Sequence, residues 1–340
     1  MPPVIGERTP SITVIIPTRN RLVFLREAVA SVLSQSFGDW EMIVVDDCSQ
    51  DGTWDWLQCL GDGRIRAVRM QEHRERSAAR NAALREARGE YVLFLDDDDW
   101  LLEDALSRLF GALHCQPAAI GAAGAHLYKN SRGQWKAVRL CRRRCCRDIS
   151  EELWLGLVLR QGQTLLRTSV VRDAGGWNEN ISCAEDVEIW VRLARFGPVV
   201  FIPEAVFAYR EHPGQERKTN LAARGRFIDR CFMAGLAGQE RQRAERCVRA
   251  RRLIGLARRS YGNARLQKAA IYGWQAVYCA PWLLRSSSIR GPFLNLALRS
   301  SVGALLGRRG VLFWRASRRI LAKRLDRISM LEPASKGEPR

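Results

Sequence analysis

The run Tyr91-Val92-Leu93-Phe94-Leu95-Asp96-Asp97-Asp98-Asp99-Trp100 constrains this chain more than any other segment. Five apolar or aromatic residues suited to a buried strand lead straight into four consecutive carboxylates. Packed side by side, such charges repel one another and raise one another's pKa. A fold keeps them at a strand's end when something cationic sits there. A divalent metal with oxygen ligands, shared with a phosphate, is the obvious candidate. An isolated acidic run is usually a solvated loop. Here the buried-strand pattern before it, and the motifs around it, point the other way.

Upstream, Ile12 to Pro17 reads as a first buried strand, and Asn20 is placed to cap a helix with the apolar stripe Leu22, Leu25, Val29, Val32 and Leu33. Glu41 to Val45 is a second strand ending in Asp46-Asp47, and Asp51-Gly52-Thr53 turns into a short helix. Ile65 to Val68 is a third strand, Ser77 to Arg88 a helix stopped by Gly89, and Leu102 to Leu113 the helix after the acidic run. This β-α-β-α order predicts an α/β fold: a Rossmann-like, mainly parallel sheet flanked by helices on both faces. Ligands of such sheets bind beyond the carboxyl ends of the strands. Three of those ends carry polar clusters, namely Thr18-Arg19-Asn20, Asp46-Asp47 and Asp96 to Asp99, and all three should meet on one edge. After Gly121 the pattern changes. It predicts a hairpin from Ala122 to Tyr128 and Gln134 to Leu140, a helix near Glu151 to Leu159, and a short strand at Thr164 to Leu166. Glu185-Asp186 then opens a helix, and Val199 to Ile202 and Val206 to Tyr209 are two further strands.

The 340 residues exceed one small core, and their charge is unevenly spread. Residues 1–220 carry 29 Lys/Arg against 30 Asp/Glu, whereas residues 221–340 carry 26 against 6. The net +19 therefore resides in a helical C-terminal third. The expected organisation is a domain over 1–218, with halves of about 11–100 and 101–218, then a basic helical appendage over 219–330 and a disordered tail over 331–340. Such a basic segment calls for an anionic partner. Gly273 to Tyr278 and Pro281 to Leu284 mix interfacial aromatics with apolar residues, and Val311 to Ile328 interleaves apolar residues with Arg and Lys. Helices of that kind lie on anionic membrane surfaces. The plainer reading is an appendage that packs on the main domain or forms a dimer contact. No nucleic-acid module is recognisable, so no nucleic acid is expected as partner. The N-terminal residues lack a signal-peptide pattern, no stretch reaches 18 uncharged apolar residues, and the ten cysteines show no framework spacing. Together these predict a cytoplasmic chain.

Taken in order, five pieces resemble the family 2 glycosyltransferases of GT-A fold over about residues 11–215. They are Thr13 to Arg21, Val44 to Thr53, Ala79-Arg80-Asn81, the Asp96–Asp99 run and Glu185-Asp186. Each is weak alone; the order and spacing are specific. The resemblance implies a nucleotide-sugar donor held by Pro17, Thr18, Arg19, Asp46 and Asp47, with Asp47 able to accept the imide N–H of uracil. Arg80 would pair with a phosphate or with an acidic neighbour. The family's DxD element maps onto Asp96-Asp97-Asp98: Asp98 is the first choice for direct metal ligand, Asp96 lies nearer the ribose or reaches the metal through water, and Asp97 has the weakest claim. Mg²⁺ or Mn²⁺ would bridge the donor phosphates and offset charge on the departing diphosphate. Asp186 matches the general base that takes the acceptor proton, although both acids of that pair would also favour a helix dipole. His212, in Tyr209-Arg210-Glu211-His212, is a candidate metal ligand or phosphate contact. The chain departs from the family at Glu75, where Gly is frequent, at Arg19, where an aromatic is frequent, and at Cys48, where Gly or Ala is usual. The implied enzyme is a metal-dependent, inverting hexosyltransferase-type protein using a nucleotide-diphosphate sugar, UDP favoured. Its acceptor would be a lipid-linked or cell-surface glycan, met at the inner face of a bacterial plasma membrane. A nucleotidyltransferase would show a Gly-rich loop where Pro17 to Arg21 stands. A non-catalytic scaffold, binding a membrane or protein partner through its basic helices, would have no need of Asp98 and Asp186 together.

Overall fold

The computed structural model describes residues 9–212 apart from 130–133, 139, 142, 155–158 and 182–183, and, further on, residues 230, 233, 236–263, 265–280 and 301. The first half alternates strand and helix: β1 (Ile12–Thr18), α1 (Leu22–Leu33), β2 (Trp40–Asp46), α2 (Thr53–Gln58), β3 (Ile65–Arg69), α3 (Glu75–Glu86) and β4 (Tyr91–Phe94). All seven residues of β1 and all seven of β2 are buried, because helices cover both faces of the sheet. Full burial of a side chain such as Ile15, Ile43 or Leu93 stabilises the fold by roughly 1.5–3 kcal/mol.

Parallel register does the rest. Thr18 lies opposite Asp46, and Ile15 opposite Phe94, so the three polar strand ends share one edge as the sequence predicts. Tight approach at the other end of the sheet explains Gly89: a Cβ there would sit 2.5 Å from the Thr13 backbone nitrogen.

The second half is built differently. It comprises β5 (Trp100–Leu101), α4 (Ala105–His114), β6 (Gly121–Lys129), β7 (Trp135–Val138), β8 (Cys145–Arg147), α5 (Ser150–Trp154), a 3-10 turn (Gln161–Gln163), β9 (Thr164–Arg167), α6 (Thr168–Asp173), α7 (Glu185–Leu193) and β10 (Val199–Tyr209). The strand order is β3-β2-β1-β4-β9-β6-β10-β5, with β7 on β6 and β8 on β10. Strand β9 runs antiparallel to both β4 and β6, and β10 is parallel to β6. The sheet thus stays mainly parallel, with helices on its faces and a helical C-terminal part. One apolar core runs through it, from Leu25 and Val29 of α1 and Met42 of β2 to Leu106 and Leu109 of α4 and Phe207 of β10.

Three expectations change. The two strands expected at Val199–Ile202 and Val206–Tyr209 are one strand, β10, because irregularities between Phe201 and Phe207 absorb the polar Glu204 without breaking the pairing to β6. Helix starts move too: α3 begins at Glu75 rather than Ser77, and α4 at Ala105 rather than Leu102. Asn20 does not cap α1: it sits at φ 51°, accepts from the Gln50 amide, and leaves Asp51 to accept from the Leu22 amide at 3.0 Å. Asp51 also accepts from the Thr53 amide and hydroxyl, so one carboxylate ties two helix starts together.

Contacts divide the chain into compact units at Leu236/Ala237. The expected boundary at 218 lies outside the described residues, as do Pro281 to Leu284, Val311 to Ile328 and the tail. In the second unit α8 (Gly238–Gly262) and α9 (Leu266–Cys279) pack together, with Arg246 donating to the Cys279 carbonyl at 2.9 Å. Ile271, Trp274 and Tyr278 of α9 are exposed. Among the described residues, no helix is long and apolar enough to cross a membrane.

Candidate active site

The chain leaves β4 at Phe94, and the Leu95 amide still bonds the Ile15 carbonyl, so Asp96 to Asp99 emerge at the edge shared with Thr18 and Asp46. Their four carboxylates go to different places. Asp97 turns inward: Thr18 donates its hydroxyl to one oxygen at 2.8 Å, and Arg21 donates to the other at 3.0 Å. Burial lifts its pKa to about 6, with Arg21 opposing the rise and Asp98 adding to it. Asp96, Asp98 and Asp99 form a separate group, with one oxygen from each within 4.8 Å of the others. Burial works against the charge of Asp96, but Arg80 outweighs it with help from Arg76 and Arg21, holding the carboxyl below its usual value. Asp99 goes the other way: burial first, then the charges of Asp96 and Asp98, push it well above the carboxylate range.

That contrast tests the group's chemistry. Three carboxylates with too little positive charge among them, one of them driven toward its neutral form, are a donor set suited to a hard divalent cation. His212 stands beside the group, with Nε2 3.0 Å from an Asp98 oxygen and its ring against Phe24.

Two further arginines, neither selected from the sequence, shape this edge. Arg21 bridges Asp97 and Asp98 from the start of α1, both at 3.0 Å. Arg210 straps the acidic turn: its amide donates to Asp99 and its Nε to the Asp98 carbonyl, both at 2.9 Å, while its fork reaches Glu27. The signal for Arg210 was its place two residues before His212; Arg21 had only its position at the end of the β1 motif.

The Arg80 side chain is almost wholly buried and lies over the Trp177 ring at 4.4 Å. It donates to Asp96 at 2.5 Å and sits 3.9 Å from Glu185, which Arg76 also approaches at 3.5 Å. Arg80 therefore joins the acidic run of β4 to the Glu185-Asp186 start of α7. Of that pair, Glu185 is buried against the arginines, whereas Asp186 is half-buried and accepts from the Val187 amide.

On the first-half side, Asp46 is fully buried and accepts from the Ser49 amide at 3.0 Å. Asp47 holds His73 at 2.6 Å and the Arg74 amide at 2.9 Å, and its own amide bonds the Thr18 carbonyl. Pro17 is buried opposite Val45, and Arg19 is exposed just past the end of β1. The structure thus brings Thr18, Arg80, Asp96 to Asp99 and His212 into one contact network, with Asp46 and Asp47 adjoining it. Asp186 enters through its neighbour Glu185.

Residues 13–174 match the family described as glycosyl transferase family 2. A Bacillus subtilis protein named for glycosyl transfer in teichuronic acid biosynthesis is 46% identical over 101 residues, which is 29% of this chain and 40% of that protein. The Campylobacter jejuni GalNAc(5)-diNAcBac-PP-undecaprenol beta-1,3-glucosyltransferase is 45% identical over 103 residues, again 29% of this chain and 33% of its own length. The chain therefore spans less than half the length of these relatives. Among solved structures, S. aureus TarS 1–349 in complex with UDP-GlcNAc superposes with a TM-score of 0.61 at 17% identity, over 87% of this chain and 92% of that one. At that identity the likeness is one of fold.

Proposed function

Because residues 13–174 carry a glycosyl transferase family 2 domain within a GT-A fold, we propose that the protein transfers a sugar from a UDP-sugar to a hydroxyl of a lipid-linked or cell-surface glycan, with inversion and with a divalent metal ion. The observation that carries this reading is the group Asp96, Asp98 and Asp99, set at the strand edge and linked through Arg80 to the start of α7. Support for UDP and for a glycan acceptor comes from what relatives and fold neighbours are named for: UDP-GlcNAc in one, an undecaprenol-linked glycan in another.

Each residue then has a part. Asp98 and its two neighbours would hold Mg²⁺ or Mn²⁺, which when bound supplies positive charge for the diphosphate. Asp97, spent on Thr18 and Arg21, fixes the turn that presents them. Asp47, braced by His73 and the Arg74 amide, faces the base, where a carboxylate can accept the imide N–H of uracil; Asp46 supports the turn beside it. Pro17, Thr18 and Arg19 form the floor of the nucleotide site, and the Arg19 guanidinium can stack on the base. His212 orients Asp98 or shares the metal. Asp186 takes the proton from the attacking acceptor hydroxyl as the anomeric carbon inverts, while the buried Glu185 keeps the helix start attached to Arg80.

The test is a panel of UDP-, GDP- and dTDP-sugars, each with Mn²⁺, with Mg²⁺ and with chelator, read by binding and by donor hydrolysis. Metal-dependent binding of a UDP-sugar is expected. Folded, metal-replete protein that binds no nucleotide sugar would contradict the proposal and favour a scaffold role.

The basic third adds a location. Residues 221–340 carry 26 Lys/Arg against 6 Asp/Glu, and α9 exposes Ile271, Trp274 and Tyr278. These features support peripheral binding to an anionic membrane at the cytoplasmic face. The full chain should co-sediment with phosphatidylglycerol vesicles in low salt and not with phosphatidylcholine vesicles; equal recovery in both would rule this out.

A further inference from the structure

Arg160 stands directly before the 3-10 turn, in extended conformation (φ −80°, ψ 157°). Its guanidinium lies 3.7 Å over the Tyr209 ring. Among the described residues its side chain makes no hydrogen bond and no ion pair. The other arginines around the acidic run are committed: Arg21 to Asp97 and Asp98, Arg80 to Asp96, and Arg210 to Glu27 and the Asp98 carbonyl. Tyr209, the ring beneath Arg160, directly precedes Arg210, whose amide donates to Asp99 at 2.9 Å.

Its position is also fixed. A Cβ on Gly162 would come within 2.5 Å of Phe207 and 3.0 Å of Leu95, so the turn is wedged between β10 and the residue just before Asp96. The backbone that carries Arg160 is thereby held against both strands that end at the site. A planar five-donor fork, parked on an aromatic face beside a cluster of carboxylates, is built to receive an oxyanion in bidentate fashion.

We propose that Arg160 binds an oxygen of the donor's diphosphate, on the Asp99–Tyr209 side of the acidic group. Asp96, Asp98 and Asp99 would hold the metal, and Arg160 would add a second positive contact to the same diphosphate. This rests on the donor reading above. An anionic group on the acceptor offers the same chemistry to the fork, but the seat of Arg160 on Tyr209, next to the Arg210–Asp99 bond, favours the diphosphate.

The experiment is titration of the full chain with UDP and with UMP, each in Mn²⁺, for the wild type, Arg160→Gln and Arg160→Lys, with thermal unfolding of all three. Arg160→Gln should weaken UDP by about ten-fold or more while leaving UMP within about two-fold. Arg160→Lys keeps the charge and loses the fork, so its UDP affinity should fall between the two. Should Arg160→Gln fail to fold, the Lys variant carries the test alone. If both variants bind UDP as the wild type does, the donor reading stands and the Arg160 assignment is overturned; lower turnover at unchanged UDP affinity would place the oxyanion on the acceptor and overturn it equally. A wild type that binds neither nucleotide sinks the donor reading and takes this assignment with it.

Discussion

The two halves of the main domain reach the same edge by different routes. From β1 to β4 the chain builds a contiguous parallel block in which neighbours in sequence are neighbours in the sheet, or nearly so, and each strand end delivers its polar residues in turn. From β5 to β10 the order is β9-β6-β10-β5, directions are mixed, with β6 and β10 parallel and their outer neighbours antiparallel, and strands far apart in sequence are paired. The first half writes its function in local motifs. The second does so only after long-range pairing has brought Arg160, Glu185 and Arg210 to the acidic run. Evenly spaced strand ends make a binding floor; the second half adds groups to it from above.

The largest expected effect lies where the halves join. Arg80→Met strips Asp96 and Glu185 of their shared, buried partner and should cost about 3–5 kcal/mol, read as the shift in urea midpoint. An unchanged midpoint would mean the halves are held together by apolar packing alone.

Next comes a property of the second half. His126 on β6 is buried, and burial, aided by the Arg160 charge and opposed by Gln163, lowers its pKa from 6.5 to about 4. The folded state therefore resists a proton that the unfolded chain accepts. Stability is complete above pH 6.5 and falls as pH drops from 6.5 toward 4. Between pH 7 and 4.5 the wild type should lose about 2 kcal/mol more than His126→Gln. Parallel losses in the two proteins would contradict this origin.

The smallest effect belongs to the first half. Glu75 and Cys48, the two positions where the family favours Gly or a small residue, adopt φ 68° and 62°. Left-handed backbone costs a side chain about 1–2 kcal/mol, part of which Gly returns as lost chain entropy. Cys48→Gly should raise stability by about 0.5–1 kcal/mol. Glu75→Gly should gain less, since it gives up the His73 contact at 3.3 Å. Destabilisation of Cys48→Gly would show that its bond to the Met70 carbonyl outweighs the strain.

This contrast also marks how far the sequence could be read. Strands β1, β2 and β4 and their converging ends were legible because full burial on both faces leaves uninterrupted apolar runs, and Asp46-Asp47 and Asp96 to Asp99 end such runs. The capping role of Asp51 for α1 was hidden, because the accepting carboxylate lies 29 residues from the Leu22 amide it serves. The two-residue β5 is too short for any periodicity. The continuity of β10 through Glu204 depends on its pairing with β6, which no local pattern displays. Arg21 and Arg210 are ordinary surface-type residues until the fold places carboxylates beside them.

The most direct measurement is UDP-sugar affinity and turnover in Asp98→Ala and Asp186→Asn side by side, in Mn²⁺, with folding checked by circular dichroism. If the first half binds and the second does the chemistry, Asp98→Ala loses metal-dependent affinity. Asp186→Asn then keeps affinity within about two-fold while turnover falls by about 10²–10⁴. Intact turnover in Asp186→Asn, or undiminished affinity in Asp98→Ala, would contradict that division.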